Sequence, residues 1–245
     1  MGDKIIYIKK KPAAIIAAVV LLALLCTLQI RHAEQPEQSV MSYLIANQTI
    51  VIDAGHGGID PGTSHNHLQE KDITLAISHK LARYLGQAGA LVINLRENDQ
   101  DLCGSHFKGT IRQRKRRDLS LRVERAIASR ADWYISIHTN ADPSPRWSGA
   151  QTFYKDGNQK SERLAVQIQE EFKKTLGNTK REAKTGSYFI LDKAPMPIVI
   201  LEVGFLSNPQ EAQLLASSDY QDKIAYAIFC GIVKAQIPAE QSKIN

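Results

Sequence analysis

The chain has 245 residues, of which 43% are hydrophobic and 23% charged, with a formal net charge of +6. That balance excludes a disordered chain, which lacks the apolar surface to offset the entropy of ordering, and the length allows one or two domains. The cysteines Cys26, Cys103 and Cys230 are odd in number and widely spaced, with no CxxC pair, which argues against a disulfide framework and a cysteine-rich zinc site.

Residues 1–12 form a basic tail, with Lys9, Lys10 and Lys11 directly before an apolar run. Residues 13–30 (AAIIAAVVLLALLCTLQI) carry no charge, and eighteen helical residues nearly span a bilayer core of roughly 30 Å. The positive-inside rule then places the N-terminus in the cytoplasm and everything after Arg31 outside. A cleaved signal peptide has the same order of basic, apolar and polar segments. The length of the run, with no small-x-small site directly after it, favours an uncleaved anchor, and either reading exports the rest. Residues 31–48 are polar and mixed and read as a linker to a catalytic domain over 49–237.

Thr49 to Asp53 reads as a buried strand running into the glycine-rich loop Ala-Gly-His-Gly-Gly. Lys71 to Leu85 has apolar residues at helical spacing, ended by Gly86 and Gly89. Ala90 to Leu95 is a second strand, Asp118 to Arg130 a helix, and Trp133 to His138 a third strand. Ala150 to Tyr154 is strand-like, and Ser161 to Leu176 is an amphipathic helix. Two further strands are expected at Ser187 to Leu191 and Pro197 to Val203, then helices at Pro209 to Leu215 and Tyr220 to Ala235. This alternation predicts an α/β fold layered around a mostly parallel sheet. The continuous apolar strands agree, since both of their faces would be covered.

Polar groups gather at strand ends, where open α/β sheets build their sites: His56, His138 with Asn140, and Glu202. Glu70 stands at the N-terminal edge of the first helix of this domain. A zinc hydrolase needs about three N or O ligands, an open position for water and a carboxylate that is not a ligand. These residues supply such a set. Each has an ordinary alternative: a histidine beside a glycine loop is often structural. Glu202 within PIVILEVGF could form a salt bridge to an arginine, since an unpaired ionised carboxylate there costs several kcal/mol.

Four blocks, DAGHGGIDPGT (Asp53 to Thr63), EKDITLAISHKLARYL (Glu70 to Leu85), DLSLRVERAIASRADWYISIHTNAD (Asp118 to Asp142) and ILEVGFLSNPQEAQLL (Ile200 to Leu215), together resemble the zinc N-acetylmuramoyl-L-alanine amidases of the amidase type 3 family. The resemblance covers roughly residues 49 to 235. It implies zinc as cofactor, with His56, Glu70 and His138 as ligands and Glu202 as the catalytic carboxylate. It also implies a twisted six-stranded, mostly parallel sheet flanked by helices, here preceded by one N-terminal membrane-spanning helix. The partner implied is peptidoglycan. RWSGAQTFY (Arg146 to Tyr154), the basic stretch before Asp118 and YQDKIAYAIFCGIVK (Tyr220 to Lys234) resemble the members that act in spore germination. That narrower likeness implies spore cortex as substrate and the first step of muramic δ-lactam formation as the role. An exported zinc peptidase or carboxypeptidase and a non-catalytic wall-binding protein are the alternative functions.

Gly55, Gly57 and Gly58 are expected to let the backbone turn His56 toward the metal, and Asp53 or Asn140 to orient a ligand from behind. His65 and His67 read as solvated loop residues rather than a metal tract, and His79 and His106 as surface residues. Arg112 to Arg117 (RQRKRR) reads as a solvated basic loop, with no nucleic-acid partner because no nucleic-acid module surrounds it.

Overall fold

The computed structural model describes residues 43–237 and, near the N-terminus, helical residues 16 and 19–22. The expected membrane segment at 13–30 therefore lies largely outside the described residues. Those of it that are described, Ile16 and Val19 to Leu22, are helical and exposed. Among the described residues no helix is long and apolar enough to cross a membrane.

From Tyr43 onward the chain runs through a 3-10 turn (Tyr43–Ile45) and then β1 (Thr49–Ala54), β2 (Ser64–His65), β3 (Leu68–Gln69), α1 (Glu70–Gln87), β4 (Leu91–Asn94) and α2 (Ile111–Ala128). There follow β5 (Trp133–Asn140), β6 (Gln151–Tyr154), α3 (Gln159–Leu176), β7 (Lys184–Thr185), α4 (Phe189–Lys193), β8 (Ile198–Phe205), α5 (Pro209–Ala216) and α6 (Ser218–Ala235). The end of the segment read as a linker belongs to this unit. Ile45 is buried, and the Gln48 side chain accepts the indole N–H of Trp133 at 2.7 Å.

Six strands form one sheet in the order β4-β1-β5-β8-β6-β7. β4, β1, β5 and β8 run parallel; β6 pairs antiparallel with β8 and parallel with β7. β1 and β8 are apolar without alternation because helices cover both sides. On one face Val51, Tyr134, Ile198 and Ile200 pack with Val123 and Ala126 of α2 and Ile190 and Leu191 of α4. α1 and α3 each pack against α6, and α1 also packs on β1 and β5. Ile73, Ile77, Leu81 and Leu85 make the buried stripe of α1, at the spacing of a 3.6-residue period. Gly231 of α6 lets that helix press onto α3: a Cβ there would lie 2.5 Å from Ile168 Cα.

Two expectations need correction. Ser187 to Leu191 is not a strand; the chain turns into α4 at Phe189. Ile190 and Leu191 are consecutive and both buried, which one turn of helix achieves and a strand with one covered face does not. The sixth strand is instead the polar pair Lys184–Thr185. Likewise Arg112 to Arg117 is not a loop. α2 begins seven residues before the predicted Asp118, capped by Thr110, whose hydroxyl accepts the Gln113 N–H while the Gln113 side chain accepts the Thr110 N–H.

Candidate metal centre

The carboxyl ends of β1, β5 and β8 lie side by side, and each delivers one polar residue to a common point. β1 ends at Ala54, and the loop beyond it turns at His56, which has φ 62°. That conformation is uncommon for a residue with a Cβ and is held only where the surroundings impose it. Two buried arginines do so. Arg96 donates to the carbonyls of Ala54, Gly55 and Lys71, and Arg122 donates to those of Ala54 and His56. Arg122 also pairs with the buried Asp53 and with Asp118, and Asp53 accepts hydroxyl bonds from Tyr134 and Ser136. Burial works against the Asp53 charge, but the Arg122 guanidinium outweighs it and holds the carboxyl below its usual range.

Glu70 is the first residue of α1 and is buried, with its carboxylate at the end of the helix that favours negative charge. Its Oε2 accepts the Thr63 N–H at 2.8 Å and its Oε1 the Thr139 N–H at 2.9 Å. The same two oxygens face the imidazoles: His56 Nε2 lies 3.3 Å from Oε2 and His138 Nδ1 lies 3.0 Å from Oε1. The two rings stand edge to face with centroids 5.0 Å apart. One ligand atom from each of His56, Glu70 and His138 fits within 4.8 Å of the other two. Two imidazole nitrogens and one carboxylate oxygen are a donor set that suits zinc, and they leave the ion a net positive charge. Without a cation, burial opposes ionisation of Glu70, yet hydrogen bonds from His138 and His56 pull its pKa far down. Burial also opposes protonation of His56, but the carboxylates of Asp60 and Glu70 raise its pKa to about 9.

Room for these side chains is tight. Gly62 has φ 66°, and a Cβ on it would lie 2.5 Å from Glu70 Oε2 and 2.6 Å from His56 Cδ2.

Glu202 sits on β8 as the register partner of His138 on β5 and of Gln151 on β6. Among the described residues its Oε2 is buried without a hydrogen-bond partner, and none of their arginines forms the salt bridge that would have explained it. Burial, reinforced by the Glu70 charge and offset in part by the imidazoles, raises its pKa to about 7.

The structure thus brings together His56, Glu70, His138 and Glu202. Asp53 acts behind the loop through Arg122, and Asn140 instead bonds backbone groups of Ala141 and Leu206. Besides Glu70, the carboxylate that touches a histidine from behind is Asp60, whose Oδ2 lies 2.9 Å from His56 Nδ1. His65 and His67 lie on the small hairpin of β2 and β3, half-buried and exposed respectively. A second group, Asp101, Cys103 and Asp118, also has the spacing for a cation. Its acids are already committed: Asp101 to the Arg114 guanidinium, Asp118 to Arg122 and the Leu102 N–H.

The family model described as N-acetylmuramoyl-L-alanine amidase matches residues 50–234. The germination-specific N-acetylmuramoyl-L-alanine amidase of Bacillus subtilis is 44% identical over 191 residues, covering 78% of this chain and 80% of that protein. Among solved structures, the CwlD amidase of Clostridioides difficile, in complex with the GerS lipoprotein, superposes with a TM-score of 0.75 at 42% identity, over 77% of this chain and 98% of that one. The catalytic domain of CwlV, an amidase of Bacillus (Paenibacillus) polymyxa, gives a TM-score of 0.66 at 30% identity, over 76% and 97%.

Proposed function

This chain belongs to the N-acetylmuramoyl-L-alanine amidase family and is an amidase of peptidoglycan, and on that premise we propose that it is a zinc enzyme of the spore cortex with its ligands at His56, Glu70 and His138. The observation that carries the reading is Glu202: a buried carboxylate oxygen with no hydrogen-bond partner, on the strand next to His138. Leaving such a group unsatisfied costs about 1–3 kcal/mol or more, and a role in proton transfer beside a bound cation accounts for it.

Zinc, when bound, polarises the scissile carbonyl and acidifies water. The remaining work falls to the protein. Glu202 takes a proton from the attacking water as its oxygen adds to the lactyl carbonyl carbon of N-acetylmuramic acid. As the carbon–nitrogen bond breaks, Glu202 returns that proton to the departing amine of L-alanine. A carboxyl with a pKa near neutrality suits both halves of this transfer. Glu70 is held as an anion by two backbone N–H groups, and Arg96 and Arg122 fix the loop that carries His56.

The cortex assignment rests on the Bacillus subtilis relative, named for germination. There, removal of the stem peptide would be the first step toward muramic δ-lactam. The proposal also includes export and retention at the membrane through residues 13–30. The GerS complex of the Clostridioides difficile amidase is the precedent for a protein partner. Mass spectrometry of muropeptides tests the reading. Cortex peptidoglycan treated with the purified full chain and zinc should yield bare muramic acid and peptides with a free L-alanine N-terminus, and chelator should stop it. Cleavage between amino acids, or undiminished cleavage in chelator, would overturn it.

A further inference from the structure

The basic helix α2 reaches the candidate metal centre through two side chains. Lys115 Nζ lies 2.7 Å from Asp60 Oδ1, and the other oxygen of Asp60 lies 2.9 Å from His56 Nδ1. On its far side His56 turns Nε2 toward Glu70 Oε2 at 3.3 Å. The line Lys115–Asp60–His56 thus runs from the surface, where the Lys115 side chain is 48% exposed, to the point where the three candidate ligands meet.

From this geometry we propose that Asp60 and Lys115 are positioning residues that set the metal affinity of His56. The proposal rests on the zinc reading above. The physical reason is the two-sidedness of imidazole. With Nε2 given to a cation, Nδ1 carries the hydrogen, and an acceptor there fixes both tautomer and ring orientation and makes Nε2 the better donor. A carboxylate does this more strongly than a neutral oxygen, because the hydrogen bond gains charge assistance. Lys115 holds Asp60 from the opposite side, taking the oxygen that His56 does not use. The Gly62 N–H also donates to that oxygen, at 3.3 Å, so the carboxylate is anchored at both ends. Lys115 is itself anchored, since α2 is tied to the His56 loop through Arg122. The basic run at 112–117 therefore contributes to the site and is more than a solvated surface.

The test measures zinc affinity of the full chain by competition with a chromophoric chelator, with thermal unfolding of the metal-free protein alongside. Wild type and His56→Ala establish whether the site exists. Asp60→Asn keeps the shape and loses the charge; it should weaken zinc binding by about tenfold, and Asp60→Ala by up to about a hundredfold. Lys115→Met removes a half-exposed charge and should weaken binding by about threefold, and Lys115→Arg should restore it. The unfolding temperature of the metal-free Lys115 variants should match wild type. If His56→Ala leaves zinc binding unchanged, the zinc reading itself fails. If His56→Ala abolishes binding but the Asp60 variants bind as wild type does, only this inference is overturned. Should the Asp60 variants not fold, the Lys115 pair decides: wild-type affinity in Lys115→Met overturns the proposal, and loss restored by arginine supports it.

Discussion

Glu202 stands directly opposite His138 in the parallel pairing of β8 with β5, one strand from the ring whose Nδ1 faces Glu70. The two residues therefore point from adjacent strand ends toward one volume, the histidine toward the candidate ligands and the carboxylate beside them. Glu202→Gln preserves that shape but cannot carry a proton. It should bind zinc as wild type does and lower turnover of peptidoglycan by about 10²- to 10⁴-fold. Release of new amino groups measures this, and activity within a factor of about ten of wild type would remove Glu202 from the chemistry.

The same substitution has a consequence for stability in the metal-free protein. Burial raises the folded pKa of Glu202 from an ordinary 4.5 to about 7, so the folded state binds its proton more tightly than the unfolded state. That contribution is complete below pH 4.5 and is lost as the pH rises through about 7. Glu202→Gln should therefore stabilise the metal-free protein relative to wild type at pH 8 and much less so at pH 5. Denaturant unfolding at the two pH values checks the difference, and an equal effect at both would contradict it.

Arg122 is almost fully buried and joins Asp53, Asp118 and two loop carbonyls. Arg122→Met would leave the Asp53 carboxylate enclosed without its counter-charge. Breaking a buried pair from one side costs about 3–5 kcal/mol. The variant should lose that much unfolding free energy in urea, together with zinc affinity, since the His56 carbonyl loses its donor. A loss under about 1 kcal/mol would show that the surroundings satisfy Asp53 without Arg122.

Parts of this arrangement were legible in the sequence, for identifiable reasons. Strands such as Ile198–Phe205 declare themselves because both faces are covered, leaving a continuous apolar run broken only by Glu202. The first turns of α2 gave no such signal. They lie outside the core, Ile111 is exposed, and only the Thr110-x-x-Gln113 capping box marks the start. β7 is two polar residues that exist as a strand through backbone pairing with Phe153 and Tyr154. In the site, histidines and acids at strand ends were found by position and by likeness to a family. Arg122 was missed because an arginine on an amphipathic helix is normally solvent-facing. Its place between Asp118 and Ala126, on the stripe that is buried, was the available clue.

Gly62 offers a steric test of the same centre. Alanine there must adopt φ 66° and set its Cβ against Glu70 and His56. The backbone strain alone costs about 1 kcal/mol or more. Because the crowded atoms belong to two of the three candidate ligands, Gly62→Ala should weaken zinc binding more than it destabilises the metal-free fold. Chelator competition and thermal unfolding separate the two effects, and a variant that binds zinc normally would show that the Glu70 carboxylate has room to move.

Opposed shifts give the metal-free protein a stability optimum in acidic solution: Asp53, Asp60 and Glu70 are shifted down, Glu202 and His56 up. Asp53 has a folded pKa below its ordinary value of 3.8, because the Arg122 charge overcomes burial. Its contribution is present above pH 3.8 and is lost as the pH falls toward the folded value. His56 has a folded pKa raised from 6.5 to about 9, because Asp60 and Glu70 overcome burial. Its contribution is complete below pH 6.5 and is lost as the pH rises through about 9. Unfolding free energy in urea should therefore be greatest near about pH 4.5, fall below it as the depressed carboxylates take up protons, and fall above it first as Glu202 and then as His56 loses its proton. Asp53→Asn should make the acid limb shallower, and His56→Ala should remove the part of the alkaline limb that lies above about pH 7. Zinc should reverse the alkaline limb, since a cation binds imidazole that has given up a proton, and the loaded protein should be more stable at pH 8 than at pH 5. If the zinc-loaded and metal-free proteins show the same pH dependence, His56 is not among the groups that hold the ion.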